Sequence, residues 1–323
     1  MTSSLELAST ATALASQAKN YSTAAGQKAI AEHLQRLGVA ATVVDGDAPN
    51  RYRVCPSLAG DPLVSVVIPT RDGVEVLERC LRSIEKRTDY PNYEIVIVDN
   101  GSSKPETVKF FNTLRHRVLR LDEPFNYSRL NNFGVQQAKG NFLLLLNNDT
   151  EVISPGWMRA MLELCHLPGV GIAGAKLYYP DRTIQHAGVI LGIKGVAGHS
   201  HKYCPAGSRG YFESLACIRN YSAVTAACMM VRRDAFEAVG GFDEQLRVAF
   251  NDVDFCLRVR ERGYRIAWTP YAELYHHESA TRGFDLDPQE IEFMKLRWKD
   301  TLLNDPYYNR NLTLDDENFA LRT

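Results

Sequence analysis

From residue 62 onward, apolar strands and amphipathic helices alternate along the chain, and this alternation constrains the fold more than any other feature of the sequence. The first four predicted strands are PLVSVVIPT, YEIVIVDNGS, HRVLRLDE and NFLLLLNND, and a predicted helix follows each of the first three. The run LLLL at 143–146 has no polar residue, which is typical of a strand buried on both faces. Strand and helix in regular succession predict an α/β fold with a mostly parallel central sheet and helices on both faces.

Residues 1–60 have a different texture. An Ala-, Gln- and Lys-rich stretch predicts an amphipathic helix that ends at Gly38, and two short strands around a turn follow it. No chemically active cluster lies there, so we predict a small N-terminal appendage of helix and β-hairpin at 1–60 and a larger domain at 61–323. Whether the first segment belongs to a longer parent protein stays open.

Charge and cysteine content exclude several classes of protein. Lys plus Arg number 37 against 38 Asp plus Glu, so the chain has no basic field with which to hold nucleic acid or an anionic membrane. The seven cysteines are scattered without a C-x-x-C pair, which is typical of reduced thiols in a cytosolic protein. Because no segment resembles a signal peptide or a membrane span, we expect a cytoplasmic protein that is at most peripheral at the membrane.

Three of the predicted strands end in polar sequences: PTRDG, VDNGS and LNNDT. In open parallel sheets, ligands bind beyond the carboxyl ends of the strands. We therefore expect a binding site at this edge of the sheet, with any anion held by local groups.

Two other motifs suggest functions that their surroundings do not support. GVGIAG at 169–174 matches a dinucleotide-binding fingerprint, but it follows a predicted helix, whereas that fingerprint lies between a strand and a helix. The group His199, His201, Cys204 and Cys217 does not have the spacing of a common zinc site, and its glycine-rich context favours a mobile loop.

Five motifs, in this order, resemble those of family 2 glycosyltransferases: VSVVIPTRDG, YEIVIVDNGS, GNFLLLLNNDTEV, GGFDE with NDVDFCLRVRERG, and YHHESATRG. The resemblance covers about 62–315 and is to the branch that builds bacterial surface polysaccharides, rhamnosyltransferases among them. It implies a GT-A fold with a nucleotide-binding half at 61–153 and an acceptor-binding half and C-terminal tail at 154–323. It also implies an inverting transfer from a nucleotide-sugar donor, dTDP-rhamnose or a UDP-sugar, to a glycan or lipid-linked glycan.

The resemblance assigns a divalent cation, Mg or Mn, to the end of the NND sequence. Asp149 matches the last acid of the family's DxD motif, and here it is the only acid of that motif. His276 and His277 precede ESATRG, where a histidine can complete the ligand set, and imidazole suits Mn-like cations better than Mg. The alternative for Asp149 is an Asx turn that ends a strand.

The same resemblance gives Asp252 the role of catalytic base. In the predicted helix, Phe255, Cys256 and Val259 form an inward stripe, and Asp252 lies in the first turn, where the helix dipole stabilises a carboxylate. Asn251 replaces the Glu that usually precedes this acid. The alternatives are that Asp252 only caps the helix, or that Asp254 is the base.

Donor and acceptor contacts also follow from the resemblance. Asp99 would accept a hydrogen bond from the imide of a uracil or thymine, and Arg282 would contact phosphate. The full donor set is Pro69, Thr70, Arg71, Asp72, Asp99, Asn126, Arg129, Asn132, Asn148 and Arg282. The acceptor set is His186, Thr225 and Asp254. For Asn126, Arg129 and Asn132, a role as turn and cap residues is an equal alternative.

A second function stays open. The depleted DxD motif and the missing Glu before Asp252 are compatible with a non-catalytic module that binds sugar nucleotide or glycan within a larger assembly. We expect the partners to be a nucleotide sugar and a glycan or lipid-linked glycan, and we expect no nucleic acid. The protein would be peripheral at the membrane or part of a larger multidomain glycosyltransferase.

Overall fold

In the computed structural model, which describes residues 20–277 and 287–322, the described N-terminal residues 20–57 form a compact unit of their own. Its helix α1 spans Asn20–Arg36, and Gly38 after it has a φ of 68°, a conformation that favours glycine. The strands β1 (Ala41–Asp45) and β2 (Tyr52–Pro56) pair antiparallel. Helix and hairpin therefore form in the order that the sequence predicts.

The second unit, Leu58–Thr323, contains the central sheet. Its described helices are α2 (Val74–Arg87), α3 (Pro105–Phe111), α4 (Tyr127–Gln137), α5 (Trp157–His166), α6 (Arg233–Ala238), α7 (Asn251–Glu261) and α8 (Pro288–Leu303). Its described strands are β3 (Val64–Thr70), β4 (Tyr93–Asp99), β5 (Arg117–Arg120), β6 (Phe142–Leu146), β7 (Thr150–Val152), β8 (Val170–Tyr178), β9 (Ile184–His186), β10 (Val189–Leu191), β11 (Ala197–His199), β12 (Arg219–Tyr221), β13 (Cys228–Arg232) and β14 (Arg265–His276).

The central sheet has the order β12-β14-β8-β13-β6-β3-β4-β5, with β7 paired to β14 and β9 paired to β8. The strands β6, β3, β4 and β5 are parallel, as predicted, and β8 is parallel to β14. Between these two groups β13 runs antiparallel to both β6 and β8. The result is a mixed α/β sheet in which the carboxyl ends of β4, β3 and β6 meet at one edge.

The strand β6 shows how the sheet is buried on both faces. Leu143 and Leu145 belong to the core on one face, whereas Leu144 and Leu146 belong to the core on the other, and all four are fully buried. Helices α2 and α5 cover the second face, while α4, α6, α7 and α8 cover the first. The apolar run at 143–146 is therefore the doubly buried strand that its composition predicts.

The motif GVGIAG begins with Gly169 and continues inside β8, as its sequence context predicts, and not in a strand-to-helix turn. A Cβ atom at Gly174 would lie 2.5 Å from the Val224 side chain, and one at Gly171 would lie 2.9 Å from Tyr264. Because these two glycines have no side chain, Val224 and Tyr264 can pack directly against the backbone of β8.

Strand β14 is longer than predicted. The predicted strand YRIAWTP continues without interruption through the sequence ELYH to His276, and its last residues pair with β7. This extension matters for function because it places His276 on a rigid strand beside the end of β6.

Among the described residues, none of the helices combines the length and the apolar composition needed to cross a bilayer. All seven cysteines lie in the described ranges and are free thiols.

Candidate functional site

Three of the predicted donor residues lie side by side at the carboxyl edge of the parallel strands. Thr70 of β3 pairs in register with Asp99 of β4. After β6, Asn148 donates a hydrogen bond from Nδ2 to Oγ1 of Thr70 at 3.0 Å. The sheet topology thus joins in one row three residues that the sequence separates by up to 78 positions.

Asp99 is 2% exposed, and each of its carboxylate oxygens already accepts one hydrogen bond. Oδ1 accepts from the backbone N–H of Ser102 at 2.9 Å, and Oδ2 accepts from Arg120 at 3.2 Å. Because a carboxylate offers about four lone-pair sites, these two contacts fix its orientation without exhausting its capacity to accept further hydrogen bonds.

The other residues of the first loop are divided between strand and turn. Pro69 is buried inside β3 opposite Val98, whereas Arg71 is exposed at the start of the turn. Asp72 has a φ of 50° and accepts hydrogen bonds from the backbone N–H groups of Ser103 and Lys104. Burial acts to raise the pKa of Asp72, but these hydrogen bonds outweigh it and lower the pKa.

The predicted metal ligands Asp149 and His276 meet at the same edge. The antiparallel pairing of β14 with β7 sets His276 opposite Thr150, and Nε2 of His276 lies 3.1 Å from Oδ1 of Asp149. This Oδ1 atom is nevertheless buried without a hydrogen-bond partner among the described residues. A buried carboxylate oxygen that is left unsatisfied needs a specific explanation, and an absent ligand is one.

The pair fits a cation, although it is not a complete cage. Two neighbouring ligands of an octahedral cation with bonds of about 2.1 Å lie about 3 Å apart, close to the separation seen here. Burial acts to raise the pKa of Asp149, but the His276 imidazole outweighs it and lowers the pKa, which favours the anion. In the described ranges, groups of three or more His, Cys, Asp or Glu suited to a metal are absent.

His277 faces a different partner. Its Nε2 lies 3.2 Å from Oε2 of Glu151, and its backbone N–H donates to the carbonyl of Asp149. The structure therefore brings His276, and not the His277 ring, against the Asp149 carboxylate.

Tyr127 connects this edge to the predicted base. Its hydroxyl lies 3.1 Å from both Oδ1 of Asn147 and the carbonyl of Ala226. The backbone N–H of Ala226 donates to Oδ2 of Asp252 at 3.0 Å. Burial raises the pKa of Tyr127 well above its usual range, and the nearby charges of Asp252 and then Asp149 raise it further. The two acids proposed from the sequence therefore both lie near one phenol.

Asp252 and Asp254 have different environments although they share the first turn of α7. Asp252 is partly exposed, and its Oδ1 accepts from the N–H of Val253. Asp254 is fully buried and bonded to Arg258 at 2.7 Å and to the Trp298 indole at 2.9 Å. These contacts do not support a direct contact of Asp254 with an acceptor, which stays a prediction.

Asn126, Arg129 and Asn132 make contacts that fit their alternative role. Asn126 caps α4 by accepting from the backbone of Arg129, whose guanidinium pairs with Glu123. Asn132 exchanges two hydrogen bonds with the backbone of Phe242 in the GGFDE segment. All three hold α4 and its neighbours together, and a contact with donor stays a prediction.

The predicted acceptor residues His186 and Thr225 are both buried. His186 is fully buried, with Nδ1 3.2 Å from Nδ1 of His199, and burial followed by the His199 charge lowers its pKa well below the usual range. Thr225 is 9% exposed, and its hydroxyl accepts from the N–H of Ala227. Nδ1 of His199 is hydrogen-bonded to the carbonyl of Gln185, and Nε2 of His201 accepts from the N–H of Tyr211. The predicted donor residue Arg282 lies outside the described residues.

Two residues of this site were missed by reasoning from the sequence. Tyr127 begins a helix, and nothing in its local sequence indicates that its hydroxyl reaches Asn147, just after β6, and Ala226, just before β13. Gln185 directly precedes the predicted acceptor residue His186, and its Oε1 lies 2.9 Å from Nδ1 of His276. Both contacts join segments more than 19 residues apart, so local patterns could not reveal them.

Comparison with known proteins adds a family. Residues 65–240 match the profile described as Glycosyl transferase family 2. Protein y4gI of Sinorhizobium fredii, named as uncharacterised, is 49% identical over 96% of this chain and 36% of its own length. The O-antigen biosynthesis protein RfbC of Myxococcus xanthus is 39% identical over 93% of this chain and 24% of its own length. The chain thus spans about a third and about a quarter of these two relatives.

Two more distant proteins are also similar. The N-acetylglucosaminyl-diphospho-decaprenol L-rhamnosyltransferase of Mycobacterium tuberculosis is 27% identical over 65% of this chain and 74% of its own length. The mannosyltransferase PcManGT from Pyrobaculum calidifontis, solved with GDP-Man and Mn²⁺, has a TM-score of 0.52 at 16% identity, over 80% of this chain and 67% of that chain. The similarity to the PcManGT structure confirms the predicted GT-A fold.

Proposed function

Because the chain belongs to glycosyl transferase family 2, we propose that it transfers a sugar from a nucleoside-diphosphate donor to a glycan or lipid-linked glycan in bacterial surface polysaccharide synthesis. The similarity to an O-antigen biosynthesis protein and to a rhamnosyltransferase supports dTDP-rhamnose as the donor, with a UDP-sugar as the alternative. The observation that carries the proposal is a chain of contacts through Tyr127: its hydroxyl reaches Asn147, which neighbours the His276–Asp149 pair, and Ala226, whose N–H holds Asp252.

We assign a divalent cation, Mn or Mg, to Asp149 and His276. The orphaned Oδ1 of Asp149 and the nearby Nε2 of His276 support this assignment. When bound, the cation would neutralise negative charge on the departing diphosphate. With one carboxylate and one imidazole from the described chain, further ligands would come from the donor phosphates and water, as is usual for such cations.

We assign the base to Asp252. Two backbone N–H groups, those of Ala226 and Val253, hold its carboxylate, and its position in the first turn of α7 places it at the positive end of the helix dipole. It would take the proton of the acceptor hydroxyl while that oxygen attacks the anomeric carbon. A single in-line displacement of this kind inverts the configuration and needs no covalent intermediate. Asn251 is 4% exposed, and its Nδ2 donates to the carbonyl of Val248 in the segment that precedes α7.

For the donor base, we assign Asp99 as acceptor of the imide N–H of a pyrimidine, beside Thr70, Arg71 and Asp72. The partly engaged Asp99 carboxylate at the edge of β4 supports this assignment. We place the reaction in the cytoplasm, at the inner face of the membrane when the acceptor is lipid-linked.

A thermal-shift screen of nucleotide sugars, with and without Mn²⁺, tests the donor and the cation together, because a bound ligand raises apparent stability in proportion to its affinity. We expect the largest shift with a pyrimidine nucleotide and Mn²⁺. Equal shifts with and without Mn²⁺ would argue against the cation, and binding without any release of nucleoside diphosphate would favour a binding module.

The base is tested by Asp252→Asn. Removing a general base costs about 10²- to 10⁴-fold in rate, so transfer should fall by that factor while donor binding is retained. Transfer is measured as product formation, and donor affinity by titration. The control is Glu261→Gln, which removes an exposed acid from the far end of the same helix and should leave both unchanged. Transfer by Asp252→Asn at the native rate would refute the assignment.

A further inference from the structure

The His276 ring has a hydrogen-bond neighbour at each nitrogen. Nδ1 lies 2.9 Å from Oε1 of Gln185, and Nε2 lies 3.3 Å from Nδ2 of Asn147. Nε2 is also the atom that lies 3.1 Å from Oδ1 of Asp149. The ring, which is 8% exposed as a residue, is therefore held from both sides.

These two amides define which nitrogen carries the proton. An amide oxygen can only accept a hydrogen bond, so Nδ1 must donate to Gln185, and an amide nitrogen can only donate, so Nε2 must accept from Asn147. The neutral ring is then the Nδ1–H tautomer, with the lone pair of Nε2 towards Asp149. With this tautomer, the Nε2 lone pair and Oδ1 of Asp149, which is unpartnered among the described residues, lie 3.1 Å apart and are both free to bind a cation.

Gln185 is built into a rigid part of the fold. It is 2% exposed and lies in β9, between the fully buried residues Ile184 and His186. On one side, β9 pairs with β8. On the other, Ile184 exchanges two backbone hydrogen bonds of 2.7 Å with Tyr203 and Cys204. The amide therefore has a fixed backbone from which to orient the imidazole.

We propose that Gln185 is a positioning residue, which fixes the Nδ1–H tautomer of His276 and so presents Nε2 to the divalent cation. The proposal rests on the cation site assigned above to Asp149 and His276. Histidines that bind metals commonly donate their other N–H to an oxygen acceptor, which sets both ring orientation and tautomer. A glutamine on β9 would do this here, and it would link the cation to the half of the domain assigned to the acceptor.

The tautomer is measured directly by long-range ¹H–¹⁵N NMR on metal-free protein with ¹⁵N-histidine, at about pH 8.5, where an ordinary imidazole is neutral. The His276 resonances are assigned by their loss in His276→Ala. We expect Nδ1–H in the native protein and Nε2–H in Gln185→Leu, where the ring would donate to Asp149 instead. An Nε2–H ring in the native protein, or an unchanged tautomer in Gln185→Leu, would overturn the proposal.

Mn²⁺ binding gives a second readout that does not depend on transfer. Loss of such a supporting contact typically weakens metal affinity about 10- to 100-fold, and we expect this for Gln185→Leu by EPR titration. Gln185→Glu retains an acceptor for Nδ1–H, so its affinity should stay within about threefold of native. The control Ser222→Ala removes a buried hydrogen bond to Asp305 and should not change the affinity. Equal loss in the Leu and Glu variants would assign Gln185 a packing role only.

The two proposals can fail separately. If Asp149→Asn binds Mn²⁺ as tightly as the native protein, the cation site is wrong, whatever the tautomer. If Asp149→Asn loses Mn²⁺ but Gln185→Leu does not, the cation site stands and the role of Gln185 is wrong. Should Gln185→Leu fail to fold by circular dichroism, the native tautomer and the affinity of Gln185→Glu decide the question.

Discussion

Asp149 and Asp254 are both buried carboxylates, and the structure treats them in opposite ways. Asp254 is fully buried, with Arg258 on Oδ2 and the Trp298 indole on Oδ1. Asp149 is 8% exposed, and its Oδ1 has no hydrogen bond among the described residues. Burial of a charge is costly unless partners compensate it. The difference teaches that a carboxylate with complete partners supports the fold, whereas one with an unpartnered oxygen at the edge of the sheet keeps the capacity to bind the cation that we propose.

The largest expected effect comes from Asp149→Asn. Loss of a metal's charge stabilisation is worth several kcal/mol, so transfer should fall on the order of a thousandfold. The substitution breaks no hydrogen bond to Oδ1 and removes only the attraction between His276 and the anion, which lowers the pKa of Asp149, so the thermal unfolding midpoint should fall much less than in Asp254→Asn. Product formation and calorimetry measure the two quantities. An Asp149→Asn variant that stays active but is strongly destabilised would contradict the comparison between Asp149 and Asp254.

Asp254→Asn should have the opposite effects, a loss of stability without a loss of Mn²⁺ binding. Removing one partner of a buried ion pair typically costs about 3 to 5 kcal/mol, because the remaining charge is left unpaired, here Arg258. We expect the free energy of unfolding in urea to fall by that amount, with Mn²⁺ affinity unchanged in the folded fraction. The control Asp61→Asn breaks an unrelated, more exposed pair with Arg159 and should cost less than about 1 kcal/mol. Loss of Mn²⁺ binding in Asp254→Asn would contradict the distinction.

His201 extends the comparison to a buried base. Burial, with help from the charges of Arg219 and Lys176, lowers its pKa from 6.5 to about 4. Since the folded pKa lies below the unfolded one, the stability that neutral His201 contributes is complete above pH 6.5 and is lost as the pH falls towards 4. The loss should reach about 3 kcal/mol over this window. Urea unfolding of native protein and of His201→Gln at several pH values measures it, and parallel pH profiles would refute it.

The smallest effect is expected for His277→Ala. The pair of His277 with Glu151 is partly exposed, so its loss should cost less than about 1 kcal/mol and leave Mn²⁺ affinity unchanged. His276→Ala, in the same assay, should abolish tight Mn²⁺ binding. Equal effects of the two alanines in an EPR titration would show that both imidazoles reach the cation.

Much of the fold was predictable because its strands are apolar runs bounded by polar turns. The run at 143–146 and the strand VSVVIPT are examples, and both lie where the sequence predicts. The end of β14 was not predictable in this way. Its sequence ELYHH is not an apolar run, and the strand reaches His276 because it pairs with β8 as far as Tyr275 and with β7 as far as His276.

The site was predictable as a set of strand ends but not as a set of contacts. Asp252 and Asp254 are two residues apart on one helix, and the packing of α8 through Trp298 buries the second. The sequence contains no measure of that packing. Tyr127 and Gln185 are ordinary residues in their local context, and they reach the site through long-range contacts that follow only from the sheet topology.

The pairing of β14 with β7 sets His276 opposite Thr150 and Tyr275 opposite Glu151. Because side chains alternate along a strand, a slip of one residue exchanges the faces on which neighbouring residues lie. A codon deletion between Glu273 and His276 would move His277 into the place of His276 and still present an imidazole to Asp149, whereas a codon insertion there would present Tyr275. Because His276 and His277 are adjacent, a one-residue deletion here keeps an imidazole beside Asp149, whereas a one-residue insertion does not.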